Sequence, residues 1–187
     1  PPTSSAGVSR CYRVHAATAF RELPGSKSLR TGGGRKDRTV SLEISVVPSA
    51  DSERVCAFDH RVSGSMARRD WLLERIEAGE CHYALTARAL IAGVLVSSRS
   101  FFRHPFIDLV IVEPDHRRRG VGRALVRYAE FCWPSGKLFT STNESNLAMQ
   151  RLCDSLGYVR SGVIDNLDDN DPEIIYYKRI PHGPAHR

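Results

Sequence analysis

No apolar run in these 187 residues approaches the ~18 needed to cross a bilayer, so no membrane span is expected. Acids are scarce at one end: residues 1–38 hold only Glu22 and Asp37 against eight Lys or Arg. That segment alone nets the chain's whole formal charge of +6, and the remainder is close to neutral. Basic character therefore belongs to a Gly-, Ser-, Thr- and Pro-rich stretch that buries too little apolar surface to offset ordering entropy. Nucleic acid is excluded as a partner except through that tail. The five cysteines, Cys11, Cys56, Cys81, Cys132 and Cys153, are odd in number and lack the close pairing of a zinc or redox motif. His104, His116 and His182 have no metal-ligand spacing either, so no metal site is expected. Scattered thiols fit a reducing, cytoplasmic setting, while the Arg- and Ser-rich start also fits an organelle transit peptide.

What is present divides into a disordered tail over 1–38, one domain over 39–181 and a short tail over 182–187. Val40, Leu42, Ile44 and Val46 alternate with polar residues, the period of a half-buried strand. Val55, Ala57 and Phe58 suggest a helix, and Trp71, Leu72, Arg75 and Ile76 a second one closed by Gly79. Strands follow at Cys81 to Ala87, Leu90 to Ser98 and, as a dense apolar run, Phe106 to Val112. Val121, Ala124, Leu125, Tyr128, Ala129 and Cys132 recur at helical spacing. Leu138 to Thr142 reads as a strand, with Ser145 or Asn146 capping a helix that buries Ala148, Met149, Leu152, Cys153 and Leu156. Tyr158 to Ile164 and Glu173 to Ile180 close the order as strands.

Chemistry concentrates between Asp108 and Val126, where a buried strand breaks at Pro114 and Arg117-Arg118-Arg119-Gly120-Val121-Gly122-Arg123 opens into an amphipathic helix. Unpaired N–H groups at a helix start favour an anion, and the glycines let main chain approach a pyrophosphate. A P-loop is excluded because Gly122 is followed by Arg123 and Ala124, not Lys and Ser or Thr. A dinucleotide fold would need a third Gly and a different strand order.

Arg117, Gly120 and Gly122, preceded by Val110-Ile111-Val112-Glu113-Pro114, are similar to the cofactor motif Arg or Gln, two residues, Gly, one residue, Gly or Ala. A second block, Asn143-Glu144-Ser145-Asn146, then Leu152 and Ser155-Leu156-Gly157-Tyr158, fits the same source. On these residues the sequence resembles the GNAT superfamily of N-acetyltransferases from about Val40 to Ile180. The resemblance implies an α/β (α+β) fold: a mixed, mostly antiparallel central sheet of about seven strands with helices on both faces. It implies acetyl-CoA as acyl donor, and as acceptor a primary amine of a small molecule or protein. Val110, Ile111 and Val112 would offer main-chain groups to the pantetheine arm. Arg117, Arg118, Arg119, Gly120, Val121, Gly122 and Arg123 would surround the pyrophosphate, and Asn146 would hydrogen-bond the cofactor. A homodimer is admitted as an assembly.

Many family members place a Tyr four residues before the Gly that ends the last helix, and here Cys153 stands at that position. Cys153 is thus the candidate proton donor, with core filler as its other reading. Asp108, an acid near the start of the central strand, is the candidate base, or else a cap for a neighbouring loop. Asp165, Asp168, Asp169, Asp171 and Glu173 form an acidic loop that attracts a cationic acceptor or is simply a solvated turn. Two other functions stand beside the enzyme: a coenzyme-A-binding module with weak or lost chemistry, and a nucleic-acid-associated protein acting through its tail.

Overall fold

The computed structural model describes residues 14–15, 41–133 and 136–181. In chain order these form β1 (Val14–His15), β2 (Leu42–Val46), α1 (Ser52–Ser63), α2 (Arg69–Glu77), β3 (Cys81–Thr86), β4 (Ile91–Phe101), β5 (His104–Val112), α3 (Val121–Cys132), β6 (Gly136–Asn143), α4 (Leu147–Ser155), β7 (Val159–Ile164) and β8 (Glu173–Ile180). All seven expected strands and four expected helices are present. The eighth strand, β1, is a two-residue addition inside the segment read as a tail, pairing Val14 with Ile44 and His15 with Glu43. The rest of 1–38, and 182–187, lie outside the described residues.

The sheet runs β1-β2-β3-β4-β5-β6-β8-β7. Every neighbouring pair is antiparallel except β5 and β6. Alternation along the strands feeds a separate core on each face. Ala92, Leu95 and Ile107 meet Val121, Leu125 and Ala129 of α3 and Cys153 of α4, while Val94 and Val96 meet Val55 and Phe58 of α1 and Leu72 and Ile76 of α2. The apolar spacing read for α1 needs one correction. Cys56 and Asp59, not Ala57, share the inner face with Val55 and Phe58, and Arg68 holds Asp59 at 2.7 Å across the α1–α2 turn.

Strand alternation also places His82 of β3 on the α3 side, 3% exposed, edge-on to the Tyr128 ring. Neither ring nitrogen has a hydrogen-bond partner among the described residues, and burial pushes the imidazole down to about 4 from 6.5. A base whose pKa is depressed by folding makes the native state bind fewer protons than the unfolded one. Its penalty is absent above pH 6.5 and accumulates as pH falls toward 4. The stability lost over that window is about 3 kcal/mol, at ~1.4 kcal/mol per pH unit. Urea unfolding at pH 7.5 and pH 5 spans the upper part of that window and should show about 2 kcal/mol of the loss, and His82→Leu should flatten the slope.

Cys56, Cys81 and Cys153 are free and buried.

Candidate active site

The site begins where the sheet fails to close. β5 and β6 share only the register pairs Phe106 with Phe139 and Ile107 with Thr140. Beyond them β5 stays paired to β4 as far as Val112, and β6 to β8 as far as Asn143. The two strands therefore part into a wedge, with Asp108–Val112 on one wall and Ser141–Asn143 on the other. Main-chain groups along the open edge are available to an extended ligand, as they are to a strand.

A β-bulge marks the apex. Val96 faces Leu109 while Ser97 faces Ile107, which leaves Asp108 as the extra residue. Burial reports the same shift. Ile107 lies with Val110 and Val112 on the α3 side, a three-residue step that regular alternation forbids, while Leu109 and Ile111 lie on the other. Asp108 is thereby re-aimed. One carboxylate oxygen accepts from Ser100 Oγ at 2.8 Å, and the other is buried without a partner. Burial raises this carboxyl above the ordinary range, and the Ser100 hydrogen bond, the nearby polar groups of Ser98 and the charge of Arg75 pull it back only in part.

At the other end of β5, a turn at Pro114–His116 leads to Arg118 at φ 60° and Gly120 at φ 84°, both left-handed. The Arg117 side chain folds back, its Nε donating to Val112 O at 3.2 Å. The first helical bond of α3 runs from Ala124 N to Gly120 O, and no side chain caps the helix start. Among the described residues the amides of Arg118 through Arg123 have no backbone acceptor. Successive free N–H groups at a left-handed bend before a helix form an anion cradle. A Cβ at Gly122 would sit 3.4 Å from Leu152 Cδ2 and 3.6 Å from Val112 Cγ2, so the first turn of α3 packs between α4 and the end of β5 with room for little more than a methyl group. The cradle therefore fits a diphosphate and the wedge an extended thiol arm.

Not every expected residue turns toward this cavity. Arg118 and Arg119 are exposed beside the cradle, whereas Arg123 reaches Ser155 Oγ at 2.8 Å. Asn146 is the N-cap of α4, its side chain accepting from Met149 N at 3.2 Å. Cys153 is 2% exposed within the core, its thiol pushed up to about 12 by burial. It packs in the core with almost no exposed surface, as the core-filler reading expects.

Gly93 was missed by reading the sequence. A Cβ there would meet Ile111 O at 2.8 Å, Leu125 Cδ1 at 2.9 Å and Val121 Cγ1 at 3.1 Å. Only glycine lets the first turn of α3 lie against β4, which sets the cradle at the end of β5. A glycine inside a strand pattern was the available signal.

The sequence model of the Acetyltransferase (GNAT) family matches residues 49–158. The chain belongs to this family. A GNAT-family acetyltransferase structure from Bacillus cereus is 33% identical to it with a TM-score of 0.68, covering 75% of this chain and 99% of that one. Two more distant structures share the fold. The yncA putative acetyltransferase of Salmonella typhimurium with its cofactor acetyl-CoA is 19% identical, with a TM-score of 0.61 and coverage of 79% and 98%. The ribosomal-protein-S18-alanine N-acetyltransferase of Escherichia coli is 18% identical, with a TM-score of 0.62 and coverage of 78% and 98%. No curated protein matches the chain.

For this GNAT chain the family match takes in both the wedge and the cradle and stops at Tyr158. The wedge, the bulge and the uncapped turn are main-chain features, and two glycines serve the turn, Gly93 by the close approach of α3 and Gly120 by its left-handed φ.

Proposed function

We propose that this chain transfers the acetyl group of acetyl-CoA to a primary amine on a small molecule or a protein. One observation carries the reading: an open wedge in the sheet runs from a bulged, partly buried carboxylate to a turn of free amides. Val110, Ile111 and Val112 would bond the pantetheine arm through their main chain, and the amides around Gly120 would hold the diphosphate, with Arg118 and Arg119 adding charge. Asp108, at the apex, would take the proton of the acceptor's ammonium group. The freed nitrogen attacks the thioester carbonyl and a C–N bond forms; the nitrogen then loses its second proton to solvent, the C–S bond breaks and coenzyme A leaves as a thiolate. Solvent supplies its proton, since Cys153 is sealed in the core. The Salmonella relative carries acetyl-CoA, in keeping with this donor.

A second reading, a coenzyme-A-binding module with weak chemistry, draws support from the buried Cys153, which stands where a proton donor is expected for the departing thiolate. One assay separates the two. Thiol release from acetyl-CoA, followed across polyamines, aminoglycosides, amino acids and peptides, should show turnover with at least one amine. Coenzyme A binding with no turnover on any of them would select the binding module.

A further inference from the structure

The turn between β6 and α4 forms the rim of the wedge, yet Glu144, Ser145 and Asn146 are all exposed. Gln150 of α4 grips this turn from one side, its Nε2 donating to Glu144 O at 2.5 Å and to Asn143 O at 3.4 Å, and the acidic loop between β7 and β8 grips it from the other. Asp171 accepts from Ser145 N at 2.9 Å through one oxygen and from Ser145 Oγ at 2.6 Å through the other. Glu144 N donates to Pro172 O at 2.8 Å, and Asn143 Nδ2 donates to Asp168 Oδ2 at 2.7 Å. Three consecutive residues of the rim, Asn143 to Ser145, are thus each tied to one loop. That loop is pre-shaped by Asn166 and Asn170 in left-handed conformations, which asparagine tolerates better than most residues. Two of its acids are therefore bonded inward, and the reading of a merely solvated acidic turn fails for them.

We propose that Asp171 is a positioning residue for the acetyl donor: it fixes the β6–α4 rim, and through it the Asn146 cap, in the place the pantetheine arm passes. This rests on the acetyl-CoA reading above. The hydrogen bonds from Ser145 hold the Asp171 carboxyl below the usual range, so the tie is made throughout neutral pH. An exposed carboxylate gripping both the amide and the hydroxyl of one serine has a geometric role, since as an isolated surface contact it adds little to stability. Its loss would be felt in where the rim sits, and a displacement of an ångström at a binding wall is costly.

The test uses the full chain and two ligands in calorimetric titration: coenzyme A, and adenosine 3′-phosphate 5′-diphosphate, which has the diphosphate but no arm. Asp171→Ala should weaken coenzyme A roughly ten-fold and leave the nucleotide unchanged, because only the arm meets the rim. Ser145→Ala should act in the same direction but less, and adding it to Asp171→Ala should cost nothing further, since both remove one interaction. Unchanged coenzyme A affinity overturns the proposal. So does an equal loss for both ligands, which marks general loosening. Should Asp171→Ala fail to fold, Ser145→Ala carries the same two outcomes alone. A wild-type chain that binds neither ligand overturns the acetyl-CoA reading instead.

Discussion

Gly120→Val should abolish measurable coenzyme A binding, and Gly122→Val should weaken it by at least about 100-fold, in proteins that remain folded. The two substitutions act by different routes. Gly120 lies at φ 84° and ψ 0°, and a Cβ there meets nothing within 4 Å. Backbone strain is then the only intramolecular cost, of ~1 to 2 kcal/mol for an L-residue and more for a β-branched one. Gly120→Ala therefore isolates the strain from the blockage. Gly122 is helical and unstrained, and alanine fits between Leu152 and Val112, but the two further carbons of valine crowd those side chains and push the first turn of α3, with its free amides, out of place. Losing two or more charge-assisted bonds, each worth ~1.5 to 3 kcal/mol, gives the 100-fold figure. Arg118→Ala removes one such bond and leaves the amides intact, so its loss should be smaller. Titration calorimetry, with circular dichroism as the control for folding, reads all four variants. Near-normal affinity in folded Gly122→Val would remove the cofactor-site assignment.

The cradle could be read in advance because its signals are local. Gly120 and Gly122 stand directly between a strand-breaking proline and an amphipathic stripe, and each element is encoded by residues within a few positions of it. The bulge at Asp108 could not be read that way. Ile107-Asp108-Leu109 continues an ordinary alternation, and the extra residue appears only when β4 is laid beside it. β4 itself runs to Phe101, past the end expected at Ser98, because Arg99 and Ser100 resemble a loop in composition while Phe101 is paired with His104 across the hairpin. The hairpin that follows turns on Phe102 and Arg103, both at positive φ, where a sequence reading looks for Asn or Gly. Arg123 and the acids at 168 and 171 were legible as charges but not as partners. Their contacts, with Ser155, Asn143 and Ser145, span 25 residues or more. Tertiary pairing decides such groups, and it overrides what composition alone predicts for a charge run.

Asp108→Asn should lower turnover by about 10² to 10⁴ while leaving coenzyme A affinity unchanged, the signature of a group that acts on the acceptor and not on the donor. The pH dependence gives the finer test. Since burial raises the Asp108 carboxyl, its basic form is lost as pH falls through a value above the ordinary carboxylate range. The acidic limb of kcat/KM should report that loss. In Asp108→Asn this limb should vanish, and activity should recover as pH rises toward the pKa of the acceptor amine, where solvent supplies the free base. Stability should move the other way. A carboxyl whose folded pKa lies above its unfolded value favours folding below the unfolded pKa, and that advantage is lost as pH rises through the folded one. At neutral pH the native state therefore carries the cost of a charged group with one buried oxygen unpaired. Replacing it with a neutral amide that can still accept from Ser100 should leave the melting temperature equal or higher. A residue that costs stability where it stands and slows the reaction when relieved is one retained for chemistry. If the variant's pH–rate profile matches the wild type, or if its melting temperature falls in step with its activity, the carboxylate is a structural cap at the strand mouth and the proton leaves by another route.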